Sequence, residues 1–435
     1  EFHSEDYQMF PFRLPRRCTL VRLTVAVSCV IYWPILAHSA EIPPTLAPPE
    51  IRQAVQGAWQ QHPSYRINEA LIAAANARLD AASKPLYNPE LEVLLDREGP
   101  DRSAVAGVNL TLDLSGKRRF RHDAAEARVD QATAEARVVR REFTQQWFEG
   151  WADYLAATQR VEIGDRRLRL VARFADLAER QYAADDISGL DKDLASLASE
   201  EARLQQSQLL AEQTDAEARF REVGGAINPA TGQSLPTSEL PAPIAYQKGD
   251  PEELPDWQVA QATAKALARE VLVARQNRVA DPTVGINGGR IDYGSFRDNV
   301  IGVRLSVPLF VRNSFGAEVV AAQADADAAD AEVERVVLQL DTERRRAITT
   351  YDSSRTAWSR WQASRGTDVE LRAGLLERLW KQGELSTADY LLQLKQTLDT
   401  ALAGAELEAR VWRGFVEYLA ATGQLERWAG LEGTP

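Results

Sequence analysis

The sequence predicts a mainly α protein built from one unit used twice, each unit running helix, β-hairpin, long helix, helix. Three observations predict it. Alternating apolar and polar residues mark two hairpins, Leu91–Leu114 and Thr283–Leu309. Each hairpin is followed by a helix-forming run rich in Ala and charge, about Arg119–Ala183 and about Ala317–Gln382, far longer than one globular core needs. The landmarks of the two halves also recur in order: Asn88–Pro89 against Asp281–Pro282, Tyr182 against Trp380, Ser188 against Ser386, Asp191 against Asp389.

The leader comes first. Arg13, Arg16, Arg17 and Arg22 precede the apolar run Leu23–Leu36, and Ala37–His38–Ser39–Ala40 follows. A basic stretch, an apolar stretch and small residues read as a secretory signal peptide over 1–40, cleaved near Ala40. The run is short for a membrane-spanning helix. Ala26–Val27–Ser28–Cys29 faintly resembles a lipoprotein cleavage box, so lipidation at Cys29 is the alternative, although the apolar run continues past it. The only two cysteines, Cys18 and Cys29, fall in this leader, which leaves the mature chain without disulfides or thiolate metal ligands.

The first repeat is placed at 41–222. Its opening helix, Pro49–Ser83, is interrupted at His62–Pro63, because proline removes a backbone donor and restricts the residue before it. Strands follow at Leu91–Leu95 and Val105–Leu114. The next helical run has no proline; sixty-odd residues rising 1.5 Å each give roughly 90–100 Å. Asp185–Gly189 breaks it, with Ser188 as the N-cap of a returning antiparallel helix, Leu190 to about Arg221. Residues 223–257, dense in Pro and Gly, read as a connector partway along the helices. The second repeat, 258–425, has a helix Gln258–Asn277, strands Thr283–Gly289 and Val300–Leu309, the long run, a turn Gly383–Ser386 and a helix Thr387–Ala421. Residues 426–435 are left as a short tail.

Val108, Leu110, Leu112 and Leu114 share one face of their strand, and Asn109, Thr111 and Asp113 the other. Such a strand fits either a half-buried soluble sheet or a membrane barrel, apolar toward lipid and polar toward water. Four strands are too few to close a barrel, so membrane use requires several chains sharing one sheet. The net charge of −12 disfavours nucleic acid as a partner. No nucleophile–His–acid arrangement and no Gly-rich phosphate loop is visible, so neither an enzyme nor a cofactor is expected. His62 and His122 read as solvated or interfacial side chains. No methionine follows Met9, which argues against a soft-metal relay; any metal ion would pass with carboxylates and water rather than occupy a dedicated site.

Asn88–Pro89–Glu90–Leu91, Asp113–Leu114–Ser115–Gly116–Lys117–Arg118, Asp281–Pro282–Thr283, Val307–Pro308–Leu309–Phe310–Val311–Arg312–Asn313–Ser314–Phe315–Gly316 and the helix turns at Asp185–Ser188 and Gly383–Ser386 together carry a resemblance. Over about Pro49 to Leu425 the chain resembles the TolC-like outer membrane efflux proteins, and within them the CzcC-like and CnrC-like branch paired with heavy-metal RND pumps. It departs from the branch pattern at Ser115, where a Gly is usual, at Val311, where an Asp is usual, and at Asp185, where a Gly is frequent.

The resemblance implies a homotrimer whose shared twelve-stranded β-barrel lies in the outer membrane and whose helices form a long periplasmic barrel. It implies a passive duct fed by an inner-membrane RND transporter through a periplasmic adaptor, exporting nickel, cobalt, zinc or cadmium ions. Drug or solute export through the same architecture is the alternative, and a periplasmic coiled-coil scaffold or adaptor the alternative of another class. Acids matching Asp191 and Asp389 line the constricted periplasmic end in the family, and Asp185 and Asp186 join them here as gate candidates. Rings of carboxylate concentrate cations, and crowding of like charge raises their pKa values. The plain reading of Asp191 and Asp389 is as first-turn acids favoured by the helix dipole. Lys117, Arg118, Arg119, Arg121 and Arg312 are placed at the barrel–helix junction, as a basic belt at the inner headgroup level or as ordinary caps and solvated charges.

Overall fold

The computed structural model describes residues 46–227, 240, 242–243, 250–363 and 369–433. The expected leader and much of the connector lie outside the described residues. Helices α1 (Pro49–Gln61) and α2 (Pro63–Ser83) each begin on proline, whose fixed φ and missing N–H suit a first turn. His62 between them is extended, and its Nδ1 accepts the Ser64 N–H at 3.2 Å. The histidine is thus an N-cap.

Strands β1 (Glu90–Glu98), β2 (Asp101–Thr111), β3 (Thr283–Asp292) and β4 (Arg297–Ser306) form one antiparallel sheet in the order β1-β2-β3-β4. Pairing of β2 with β3 fuses the hairpins of the two halves. The register puts Leu91, Val108, Ile286 and Val303 in one cross-strand row. This face is apolar and open: Ile301 is 88% exposed, Val303 83% and Leu91 76%. The opposite face carries Glu92, Asn109, Thr111, Thr283, Asn287 and Arg304, as period-two alternation demands.

The strands run further than alternation alone indicates. The stretches 96–104 and 289–299, expected to be connections, are mostly strand, and the turns shrink to Gly99–Pro100 and Tyr293–Phe296. Backbone pairing continues there although Arg97, Arg102 and Asp298 interrupt the apolar pattern. At its other end β2 stops at Thr111 instead of Leu114, because the Asp113 carboxylate turns to cap the next helix, accepting the N–H groups of Lys117 and Arg118 at 2.8 Å each. Among the described residues no helix is long and apolar enough to cross a membrane.

Helix α3 (Lys117–Ala183) has 67 residues, about 100 Å of rise. It packs along α2, α4 (Gly189–Glu222), α5 (Pro255–Asn277) and α8 (Thr387–Ala421). Buried Ala124, Ala127, Ala134 and Ala136 keep its neighbours close. The expected run Ala317–Gln382 is described as α6 (Gly316–Ala363) and α7 (Val369–Lys381), with 364–368 outside the described residues. Part of the tail expected over 426–435 is folded. Helix α9 (Leu425–Ala429) buries Leu425, Trp428 and Ala429, the Trp428 carbonyl accepts the Ala47 N–H at 3.0 Å, and Arg140 pairs with Glu426 at 2.7 Å. These residues join an aromatic core with Trp59, Trp147, Trp151 and Phe415. Its apolar residues are scattered over distant segments, so no local periodicity announces it.

Candidate functional site

The two helix turns are built alike. Ser188 caps α4 and Ser386 caps α8, each three residues before an aspartate. Each serine Oγ accepts the aspartate N–H, at 3.2 Å for Asp191 and 3.1 Å for Asp389, and donates to that aspartate's Oδ2, at 2.6 and 2.7 Å. The sequence places the Ser188 cap correctly, and Ser386 repeats the same spacing, since a Ser-x-x-acid cap depends only on neighbours. The preceding turn uses Gly383 at φ 75° in one half and Asp185 at φ 63° in the other. Asp is among the few non-glycine residues that tolerate this left-handed conformation. Asp185 and Asp186 are both exposed.

The two aspartates differ in what else they touch. Asp191 is half-buried and lies beside the Thr387 hydroxyl of the second turn, while Asp389 is exposed. The Thr387 Oγ1 in turn accepts the Trp380 Nε1–H at 3.1 Å. The Ser188 hydroxyl, with Thr387 in support, holds the Asp191 carboxyl below its ordinary value. Like-charge crowding gives the opposite expectation; within one protomer the donors outweigh the cost of burial, the opposing cause here. A lowered folded pKa means that this contact is fully stabilising above the unfolded value of about 3.9 and is lost as pH falls through the lowered one.

A buried aromatic group joins the turns. Phe174 of α3 stacks on Tyr390 with centroids 4.2 Å apart and meets Trp380 edge-on at 4.6 Å. Burial pushes the Tyr390 phenol up to about 12. Arg167 then reaches from α3 to Asp399 of α8 at 3.2 Å, and Lys395 of α8 pairs with Glu201 of α4. The sequence indicates neither Thr387 nor Phe174 as a site residue. Their roles arise from contact between turns about 200 residues apart, and no local pattern encodes that.

At the sheet–helix junction, Lys117 is at the place expected of it but not in the expected setting. Its side chain is 8% exposed and its Nζ donates to Asp281 Oδ2 at 2.8 Å and to the Val279 carbonyl at 2.6 Å. Tyr87 donates to the same Oδ2 at 2.7 Å, and this bond, with burial, pushes its phenol up to about 12. Lys117 is therefore an internal tie and not part of a headgroup belt. Arg118, Arg119, Arg121 and Arg312 are exposed. The motifs around Gly116–Lys117 and Asp281–Pro282 thus meet each other, one from each half. Gly116 at φ 72° supplies the turn that aims Lys117 inward.

His122, Asp123 and Glu126 bring one ligand atom each within 4.8 Å of the others. Arg118, Arg119 and Arg121 crowd the same turns of α3, and their charge opposes holding a cation there. A groove of about 640 Å³ lies between α2, α3, α5 and α6 and includes none of the turn residues.

A sheet with one open apolar face, tied by a buried ion pair to helices of this length, has the protomer fold of an outer membrane channel. The Campylobacter jejuni CmeC outer membrane channel superposes with a TM-score of 0.72 at 15% identity, over 86% of each chain. The chain matches the outer membrane efflux protein family pattern over residues 54–226. It is similar to the cobalt-zinc-cadmium resistance protein CzcC of Cupriavidus metallidurans, 30% identical over 56% of this chain and 62% of that one. The matched stretch thus spans less than two thirds of that relative. It is also similar to the nickel-cobalt-cadmium resistance protein NccC of Alcaligenes xylosoxydans xylosoxydans, 25% identical over 79% of each.

Proposed function

We propose that three copies of this chain form a passive export duct of the outer membrane that releases divalent transition-metal cations delivered by an RND-type transporter through a periplasmic adaptor. The observation that carries the duct is the open apolar face of the sheet. A soluble scaffold would leave Leu91, Ile301, Val303 and Leu305 in water, each more than two-thirds exposed. Strands β1 and β4 are unpaired edges in one protomer. Hydrocarbon does not tolerate open edges, and three copies supply twelve strands for a closed barrel. In this reading 41–222 and 258–425 are the two repeats and 223–257 the connector.

Two observations favour metal cations over drugs. The curated relatives described above are resistance proteins for cobalt, zinc, cadmium and nickel. The polar face of the sheet also bears the acids Glu90, Glu92, Asp96, Glu98, Asp101 and Asp298 against one cation, Arg304. Arg304 is masked by an ion pair to Glu92, which Asn109 also holds at 2.9 Å. Such a lining concentrates divalent cations. Growth of a deletion strain on graded nickel, cobalt, zinc, cadmium and a drug panel tests the substrate: sensitivity confined to metals supports the reading, and sensitivity confined to drugs rejects it.

Asp389 is the candidate gate acid in this reading, with Asp191, Asp185 and Asp186 beside it. Because Asp191 is half-buried and Asp389 is exposed, Asp389→Asn should lower cation preference and divalent block in single-channel recordings more than Asp191→Asn does. Equal effects, or none from Asp389→Asn, would place the selective constriction elsewhere.

A further inference from the structure

We infer that the turn end of the sheet carries a binding site for the phosphates of an outer-leaflet glycolipid, centred on Arg97 and Arg102. The inference rests on the duct reading above. The pairing register places Arg97 opposite Arg102, Arg102 opposite Asp292 and Asp292 opposite Arg297. These four residues form one row across all four strands. They lie on the apolar face, since Arg97 continues the series Leu91, Val93, Leu95 and Arg102 the series Leu110, Val108, Ala106, Ala104. The arginines of the row are exposed.

The row is short of negative charge. Asp292 is occupied by Arg297, which donates to it at 2.8 Å, and by the Gly294 N–H. Among the described residues no acid forms an ion pair with Arg97 or Arg102. Side chains directly opposite on antiparallel strands sit about 5 Å apart, and like charges there are destabilising. Arg290 lies one row further in and adds another positive charge to this face. An anion between Arg97 and Arg102 relieves the repulsion, and paired guanidinium groups match phosphate oxygens in geometry.

Position selects the source of that phosphate. The next rows inward are Leu95 with Ala104, then Val93, Ala106 and Ile301, so the basic row begins where the lipid-facing band ends. Tyr293 and Phe296 stack at the β3–β4 turn with centroids 4.7 Å apart, and Phe296 is 59% exposed. Aromatic rings and arginines above an apolar band are the pattern of a headgroup boundary. A phosphorylated glycolipid anchored in the outer leaflet presents its phosphates at that level, whereas free phosphate has no apolar part to use the band.

The test uses the purified full-length protein in nanodiscs, with phosphorylated lipid A, its dephosphorylated counterpart and inorganic phosphate as probes. Phosphorylated lipid A should bind saturably and weaken with salt. Arg97→Gln with Arg102→Gln should reduce that binding at least tenfold, while Arg118→Gln, at the other end of the sheet, should leave it unchanged. Equal binding of the two lipids, equal competition by inorganic phosphate, or an equal loss in Arg118→Gln overturns the inference. Channel formation by the same samples in planar bilayers is scored separately: its absence would reject the duct, whereas channels without phosphate-dependent binding reject only the lipid site.

Discussion

Lys117→Met should destabilise the protein by about 3–5 kcal/mol, because it removes the cation from a buried carboxylate and leaves the charge behind. Asp281 has a side chain 4% exposed, and its Oδ1 already lacks a hydrogen-bond donor among the described residues. The remaining Tyr87 hydroxyl is a single neutral donor. Replacing both partners, Lys117→Met with Asp281→Leu, should recover much of the loss, since an apolar pair of similar volume removes the desolvation penalty together with the attraction. Thermal unfolding of the detergent-solubilised protein by circular dichroism reads both variants. A single variant that melts like the wild type would show that the pair contributes nothing, and a double variant worse than the single would show that the tie acts through geometry instead of charge.

Phe174→Ala should cost a similar amount, about 3–5 kcal/mol, through the cavity left between Tyr390 and Trp380. Phe174 is 3% exposed and lies between the helices of the two turns. The loss is local, so the turns should loosen before the sheet or the aromatic core around Trp147 does. Limited proteolysis should cut the variant faster near 184–188 and 383–386 than the wild type, with cleavage elsewhere unchanged. Uniformly faster cleavage would instead mean that Phe174 supports the whole bundle.

The parts of this fold that are legible in the sequence are those set by neighbours. Ser188 and Ser386 declare themselves because a cap needs only the next turn, and Pro63 because it acts on the residue before it. Val108 and Leu110 declare a strand by alternation, but Arg97 and Arg102 hide its continuation, because charges at a water-facing end carry no apolar period. The Lys117–Asp281 tie joins residues 164 apart. Each looks like an ordinary surface charge when read alone, and only the β2–β3 pairing brings them together. Thr387 is similar: it follows a recognisable cap, yet its hydroxyl matters because Asp191 of the other half lies beside it.

The turns Gly99–Pro100 and Tyr293–Phe296 have a consequence for life at the cell surface. In the proposed orientation they are what the described strands present to the outside world. An antibody or a bacteriophage tail fibre needs roughly 800 Å² of surface on its target to hold firmly. Turns of two and four residues offer little of that. Among the described residues neither turn at this end is long enough to fold across a mouth, so in the proposed duct closure falls to the opposite end, nearly the full length of α3 away.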